Sequence, residues 1–400
     1  MVRSAYGKCL REIVPRVKRE TKHEIALFAT VGIQYWEDNW EGMKVYPGAD
    51  NKITGEDIIQ QHYNNWRADA YILQMDAWCY SQLYDFSAAR QINLFQYVPI
   101  DYFPLPQYVI QRLQKACGLI AMTKWAEDAM KKAGVENVLG HIHHGVDTEI
   151  YKPAAISKEK VRKEFAAMRK QLFGASEDDF LITIVAANQD RKSWFEWLNG
   201  IALFIRENPD VNTKIYLHTP MQMGGGYNIP ALANLLGIQP IIRTIDPYKY
   251  AFGLIGEAEM AKIYNAADVT LIPCIEGFSM PTIESLACGT PVIGLDYGAQ
   301  QELITPVSKN LLAKVGHEQM YGNALVKPVV SSASIAERLA HIANDRDRYF
   351  FESSRYGASF DWNTIVQNGW LPMLKKIEEV LEGECYKLPE TKPSTARVIK

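Results

Sequence analysis

The stretch Glu276-Gly277-Phe278-Ser279-Met280-Pro281-Thr282-Ile283-Glu284-Ser285-Leu286-Ala287-Cys288-Gly289-Thr290-Pro291-Val292-Ile293-Gly294 decides how this chain is read. It is a loop carrying one carboxylate, a helix start carrying a second eight residues later, and a Gly-Thr-Pro stop leading into an apolar strand. Ser279 is placed as the N-cap, and Pro281 suits a first helical turn because its missing N–H would be unpaired there anyway. The unpaired amides of that turn, together with the helix dipole, make an anion site. Gly277, Phe278, Ser279, Met280 and Pro281 are therefore candidate ligand contacts. Glu284 falls about one turn inside the helix and Glu276 stays on the loop in front of it.

A ligand with an anionic middle and polyol ends fits this layout, and a nucleotide-sugar, with ribose, diphosphate and hexose in a row, is such a ligand. Two solvated glutamates near a helix start would show the same spacing, so spacing alone leaves both readings open. The flanks add Tyr264-Asn-Ala-Ala-Asp268-Val-Thr-Leu-Ile-Pro273 before the segment and Gly289-Thr-Pro-Val-Ile293 at its end. Taken together, residues 264–293 resemble the E-x7-E signature of the retaining family 4 glycosyltransferases, which have the GT-B fold. A looser resemblance runs through Tyr6-Gly7, Trp40-Glu-Gly-Met-Lys-Val-Tyr-Pro47, Val98-Pro-Ile-Asp101 and His144-Gly-Val-Asp147.

The resemblance implies an α/β chain of two Rossmann-like, doubly wound domains facing a central cleft. It implies retaining transfer of a hexose from a UDP- or GDP-linked sugar to an acceptor hydroxyl. Glu276 is then expected beside the transferred sugar, Glu284 on the ribose, and Asp101 against the hexose, although Asp101 equally suits a turn cap. Tyr6, Gly7 and His144 are expected to face the cleft. The acceptor stays open between glycan, lipid, protein and small molecule.

The family places cations for the diphosphate after the first strand of the second domain, where this chain has Asn188-Gln189-Asp190-Arg191-Lys192. Asn188 stands where an arginine is usual, and Arg191 and Lys192 become the candidates for neutralising the charge that grows on the leaving diphosphate. With these cations and a helix terminus, no divalent metal or other cofactor is expected. Arg243 opens a stretch similar to the loop against which the base packs. A second departure is the short stretch ahead of Tyr6-Gly7, where the family has an opening strand.

Composition agrees with a globular enzyme. The 400 residues are 48% hydrophobic and 22% charged, enough for more than one core. A net charge of -3 leaves no footprint for nucleic acid. No apolar run is long enough for a transmembrane segment and Met1-Val-Arg-Ser4 lacks a signal-peptide core, so a cytoplasmic location is expected. The scattered Cys9, Cys79, Cys117, Cys274, Cys288 and Cys385 read as free thiols. His141, His143 and His144 form the dense histidine cluster, with no carboxylate partner in the neighbouring sequence to suggest a metal site.

Strand patterns at 24–30, 70–74, 94–98 and 118–122 alternate with helical ones at 6–20, 56–66, 107–115 and 125–133. After 157–173, read as a solvated helix of alternating charge, strands follow at 180–186, 213–218, 240–243, 269–272 and 291–295. This divides the chain into an acceptor domain at 1–152, a donor domain at 153–360, a crossover helix at 361–384 and a mobile tail at 385–400. Sugar rings stack on aromatic faces, so Trp36 and Trp40 are acceptor candidates. The glycines Gly224-Gly225-Gly226 lack the Gly-x-Gly-x-x-Gly spacing of a dinucleotide turn. The alternatives are a GT-B epimerase or phosphorylase and, because of Asn188, a catalytically impaired nucleotide-sugar-binding protein.

Overall fold

The structure, a computed structural model, describes residues 5–30, 38–48, 54–273, 275–320 and 325–383. Trp36, Cys274 and the 385–400 stretch lie outside them. The apolar strand patterns become two parallel sheets. In the first domain Tyr71–Gln74, Leu94–Val98, Gly118–Ala121 and Val138–His141 lie side by side in chain order. The second domain orders its six strands Ile242–Thr244, Thr213–His218, Phe180–Val185, Val269–Leu271, Val292–Leu295 and Leu312–Ala313. The order reverses beside Phe180–Val185, which is the doubly wound arrangement and puts ligand crevices at strand C-termini.

Both sheets are apolar because helices cover both faces, as parallel pairing requires. Leu94–Val98 and Gly118–Ala121 are buried along their whole length, as are Val269–Leu271 and Val292–Leu295. The cores meet at the domain junction. Cys9, Ile13 and Val17 of the helix Ala5–Glu20 pack in one apolar cluster with Tyr97, Phe278, Met280 and Ile283. The C-terminal segment, helical over Trp362–Ile365 and Leu371–Gly383 with a π-type turn between, adds Trp362, Trp370, Met373 and Ile377 to that cluster. Its backbone is stitched to the first domain where Val146 N donates to Phe360 O at 2.8 Å.

Two expectations change. The 24–30 strand shrinks to Leu27–Phe28 and joins Met43–Tyr46 and Asp38–Trp40 in a separate small sheet. Among the described residues no strand precedes the helix Ala5–Glu20. The 157–173 stretch is solvated on one side alone, with Lys158 and Arg169 on the other, 1% and 0% exposed. Arg169 is drawn in because Asp268, itself fully buried, accepts from both of its Nη atoms at 3.2 Å. Lys158 donates to Asn265 O and Thr290 Oγ1, and burial pushes its ammonium down to about 7.

An antiparallel hairpin, Val315–Met320 with Val326–Val330, follows the last parallel strand of the second domain and reaches the first. Leu325 enters the first domain's apolar cluster, and Lys327 pairs with Asp101 at 3.1 Å. Among the described residues no helix is long and apolar enough to cross a membrane.

The helix carrying Glu284, Met280–Ala287, is positioned by Phe350–Ala358, which crosses it at Gly357. A Cβ there would lie 2.1 Å from Ala287 N, so only glycine permits the crossing. Gly357→Ala is expected to cost about 1–3 kcal/mol of overpacking, read as a lower thermal midpoint, with weakened ligand binding because the Glu284 helix must shift. An unchanged midpoint would show that the helices yield freely.

Candidate functional site

The C-terminal ends of both sheets, with the loops beyond them, carry the expected residues: Asp101 and His144 from the first domain, Arg191, Lys192 and Glu276 from the second. Arg191 and Lys192 form a tight turn between Phe180–Val185 and the helix Trp194–Glu207. Lys192, 2% exposed at its side chain, donates to Glu276, and Arg191 Nη2 lies 3.6 Å from the same carboxylate oxygen. Arg191 also donates to Ile275 O at 3.1 Å, which ties the turn to the loop carrying Glu276. Burial works to raise the Glu276 pKa, but Lys192 and Arg191 outweigh it and hold the carboxyl below its ordinary value.

Glu284 sits in the second turn of its helix, 7% exposed, and is shared by the two domains. Tyr264 of the second domain donates to Oε2 at 3.0 Å, while Lys8 of the first donates to Oε1 at 2.7 Å. Lys8 also lies 3.5 Å from Glu257 and 4.8 Å from the Tyr151 ring centre. Burial disfavours its charge, yet Glu284 and Glu257 together hold the Lys8 pKa above the ordinary lysine value. Lys8 stands two residues after Tyr6, whose hydroxyl feels the charge of Glu276. Glu284 is therefore paired with the first turn of the helix Ala5–Glu20, which also contains Tyr6 and Gly7.

The loop 276–281 meets the first domain directly. A Cβ on Gly277 would stand 2.4 Å from Pro99 Cβ, so this glycine is a close-approach residue. Phe278 packs edge-on against His144, ring centres 4.7 Å apart. His144 is buried and bonded to the Tyr97 hydroxyl at 2.9 Å, and burial, helped by the neighbouring His143, pushes it down to about 3, so it is neutral. Ser279 takes the N-cap position in extended backbone, but its hydroxyl accepts from Thr282 Oγ1 at 2.9 Å and does not cap a backbone N–H. Met280 and Pro281 form the first turn.

Other expected residues are placed elsewhere. Asn188 is fully buried; its amide donates to Pro220 O and Tyr227 O and accepts from Tyr227 N, so it buttresses the 220–227 loop and its side chain is fully spent there. Arg243 folds back onto the carbonyls of Pro240 and Ile242. Trp40 stands beside Glu41, whose carbonyl is held by Lys18, and a helix rising about 1.5 Å per residue puts Lys18 about 18 Å from Tyr6. Trp40 is thus at the far end of that helix from both glutamates. His141 and His143 do have carboxylate partners, Glu127 and Glu302, each at 2.6 Å. Cys9, Cys79, Cys117 and Cys288 are free thiols.

Sequence reasoning missed Lys8, Tyr264, Asp76 and His218. Lys8 follows Tyr6-Gly7 and carried the one available hint, a cation in the first turn of a half-buried helix. Asp76 accepts from the Tyr6 hydroxyl at 3.1 Å. His218 ends the strand Thr213–His218; burial pushes it down to about 4 although Glu284 acts in the opposite direction.

With this geometry in hand, comparison with known proteins is informative. Residues 193–336 match the family model described as glycosyl transferases group 1. The chain is similar to D-inositol 3-phosphate glycosyltransferase of Thermobispora bispora, 28% identical over 234 residues that make up 56% of this chain and 47% of that protein. It spans about half the length of the curated relatives it matches. Among solved structures it is similar to sucrose-phosphate synthase from Thermosynechococcus elongatus, with TM-score 0.69, 13% identity and 94% of each chain covered. It is also similar to the Anabaena protein HepE in complex with UDP, with TM-score 0.59, 15% identity, and 83% of this chain and 86% of that one covered. By its fold the chain is a GT-B protein, and within its second domain residues 193–336 match the group 1 glycosyl transferases.

Proposed function

We propose that the protein is a retaining glycosyltransferase that moves a hexose from a nucleoside diphosphate sugar, UDP- or GDP-linked, to an acceptor hydroxyl. The observation that carries this reading is the pairing of the two glutamates at one junction. Glu276 is held by Arg191 and Lys192, and Glu284 by Tyr264 and Lys8 of the opposite domain. In this reading one ligand, with polyol groups at its ends and charge in its middle, spans the two carboxylates.

In this reading Glu284 accepts from the ribose hydroxyls. The diphosphate lies between the first-turn amides of Met280–Ala287 and the Arg191–Lys192 turn. As the C1–O bond of the hexose breaks, its electron pair stays on the departing diphosphate, and Arg191 and Lys192 neutralise that charge. The acceptor oxygen forms the new bond to C1 on the same face and its proton passes to the leaving phosphate oxygen. Glu276, ionised and beside the same cations, stabilises the positive charge that develops on the sugar. Two protein cations and a helix terminus do here what a divalent metal does elsewhere, so transfer is expected without added metal. The inactive-binder alternative draws on Asn188, whose amide is engaged by the 220–227 loop, so in the enzyme reading the charge of the diphosphate falls to Arg191 and Lys192.

Three outcomes test this. The purified protein, incubated with a panel of nucleotide-sugars in chelator, is expected to release nucleotide slowly from one of them; no release and no binding for any donor sinks the proposal. Glu284→Ala is expected to weaken nucleoside diphosphate binding about tenfold or more by calorimetry, through the lost charge-assisted hydrogen bonds. Glu276→Ala leaves Lys192 and Arg191 without their carboxylate, so it is expected to bind the diphosphate at least as tightly while losing about 100-fold or more in kcat.

The pH profile follows from the same pairing. Because Lys192 and Arg191 hold Glu276 below its usual value of 4.5, activity that needs the carboxylate is fully present above that value and declines only as pH falls through the lowered pKa. Lys192→Met removes a lowering influence and leaves the raising effect of burial, so the acid limb of kcat/KM is expected to move to higher pH. An acid limb that stays in place would separate Glu276 from the pH dependence.

A further inference from the structure

We infer that the acceptor presents an uncharged, polyhydroxylated ring, a sugar or cyclitol without a phosphate, to a platform formed by Trp78 and Asp76 of the first domain. The inference rests on the glycosyl-transfer reading above and names the substrate class of its open half.

Asp76 follows the strand Tyr71–Gln74, so it emerges from the same edge of the first-domain sheet as Asp101 and His144. The Tyr6 hydroxyl fastens it at 3.1 Å, and Tyr6 belongs to the same helical turn as Lys8, the partner of Glu284. Asp101 and Arg191 are close enough for their charges to act on Asp76, which sets it at the sugar end of the junction. Two residues on, Trp78 is 60% exposed. The backbone under this exposed ring is held: Arg112 donates to Ala77 O at 3.3 Å and to Trp78 O at 3.0 Å. A large aromatic face anchored beside a fixed carboxylate suits a ring whose C–H face is apolar and whose rim is hydroxyl. The face stacks on the indole and the rim donates to Asp76.

The charge balance selects against an anionic acceptor at this position. Glu276 has Lys192 and Arg191, and Asp101 has Lys327. Among the described residues no lysine or arginine forms an ion pair with Asp76. Burial and the nearby Asp101 push its pKa up, although the Tyr6 hydroxyl and the charge of Arg191 act the other way. A phosphate brought against Trp78 would meet that carboxylate, while the cations nearby are already engaged, Arg112 with the carbonyls of Ala77 and Trp78 and Arg191 with Glu276 and Ile275 O, whereas neutral hydroxyls gain an acceptor.

Saturation-transfer NMR on the full chain tests this, with methyl α-glucopyranoside, methyl α-mannopyranoside and myo-inositol as neutral probes and glucose 6-phosphate as the charged one. Transfer from the protein to at least one neutral ring is expected in the parent, in Trp78→Phe and in Phe351→Ala, a control that removes an equally exposed aromatic from the second domain. It is expected to vanish in Trp78→Ala. In turnover, Trp78→Ala should raise the acceptor KM about tenfold with kcat within about twofold, and Trp78→Phe should restore most of the loss. The inference is overturned if no neutral ring is bound, if binding survives in Trp78→Ala, or if glucose 6-phosphate binds more tightly than the glucoside. Nucleotide binding, measured on the same samples, keeps the two claims apart. Nucleotide bound without any neutral ring defeats this inference alone, and a ring bound at Trp78 without any nucleotide defeats the donor reading alone.

Discussion

A carboxylate taken out of water needs a cation or a hydrogen-bond donor at hand, and the junction between the two domains is arranged around that requirement. Glu284 satisfies it from both sides, with Tyr264 below and Lys8 opposite. Because Lys8 belongs to the other domain, the state of this carboxylate and the approach of the domains are one variable. Glu276 satisfies the same need within its own domain, through Lys192 and Arg191. Both glutamates are therefore held in place by their own neighbours, an arrangement that spares a charged site the reorganisation a flexible one would need.

Contacts away from the glutamates set the angle at which the domains meet. Glu302 of the helix Gly298–Ile304 accepts from the backbone N–H groups of Lys124 and Trp125, at 3.0 and 2.8 Å, and bonds His143 at 2.6 Å. It thereby occupies the start of the first-domain helix Lys124–Lys132, where the dipole favours an anion. The Tyr297 hydroxyl accepts from Phe103 N at 2.8 Å. The hairpin 315–330 adds the pair Lys327–Asp101, so the residue expected against the hexose is itself steadied from the opposite domain. With Gly277 pressed on Pro99, the loop carrying Glu276 has no slack on the first-domain side.

The residues whose roles changed share one feature: their partners are remote in sequence. Asn188 reads as a vacant cation position because it follows a strand, yet its amide matches three backbone groups of the 220–227 loop. Arg169 and Lys158 read as one face of a charged helix, yet Asp268 and Thr290, roughly a hundred residues on, draw them inside. His141 and His143 looked partnerless because Glu127 and Glu302 come from helices. Composition and periodicity cannot report a partner that only folding brings near.

What the sequence determined by itself is what local physics controls. Alternating apolar runs and helical patterns specified two parallel sheets, since a strand buried on both faces must be apolar throughout, as Leu94–Val98 and Val269–Leu271 are. The Gly289-Thr290-Pro291 stop and Pro281 marked the ends of the Glu284 helix, because backbone restrictions act over a few residues. Only the tertiary structure decided which charges meet: Lys8 with Glu284 and Lys327 with Asp101 join residues more than two hundred positions apart. It also set Asp76 beside Tyr6 while leaving Trp40 at the far end of the same helix. Electrostatic and stacking interactions depend on distance in space, and that distance exists only once the two sheets have closed on one another.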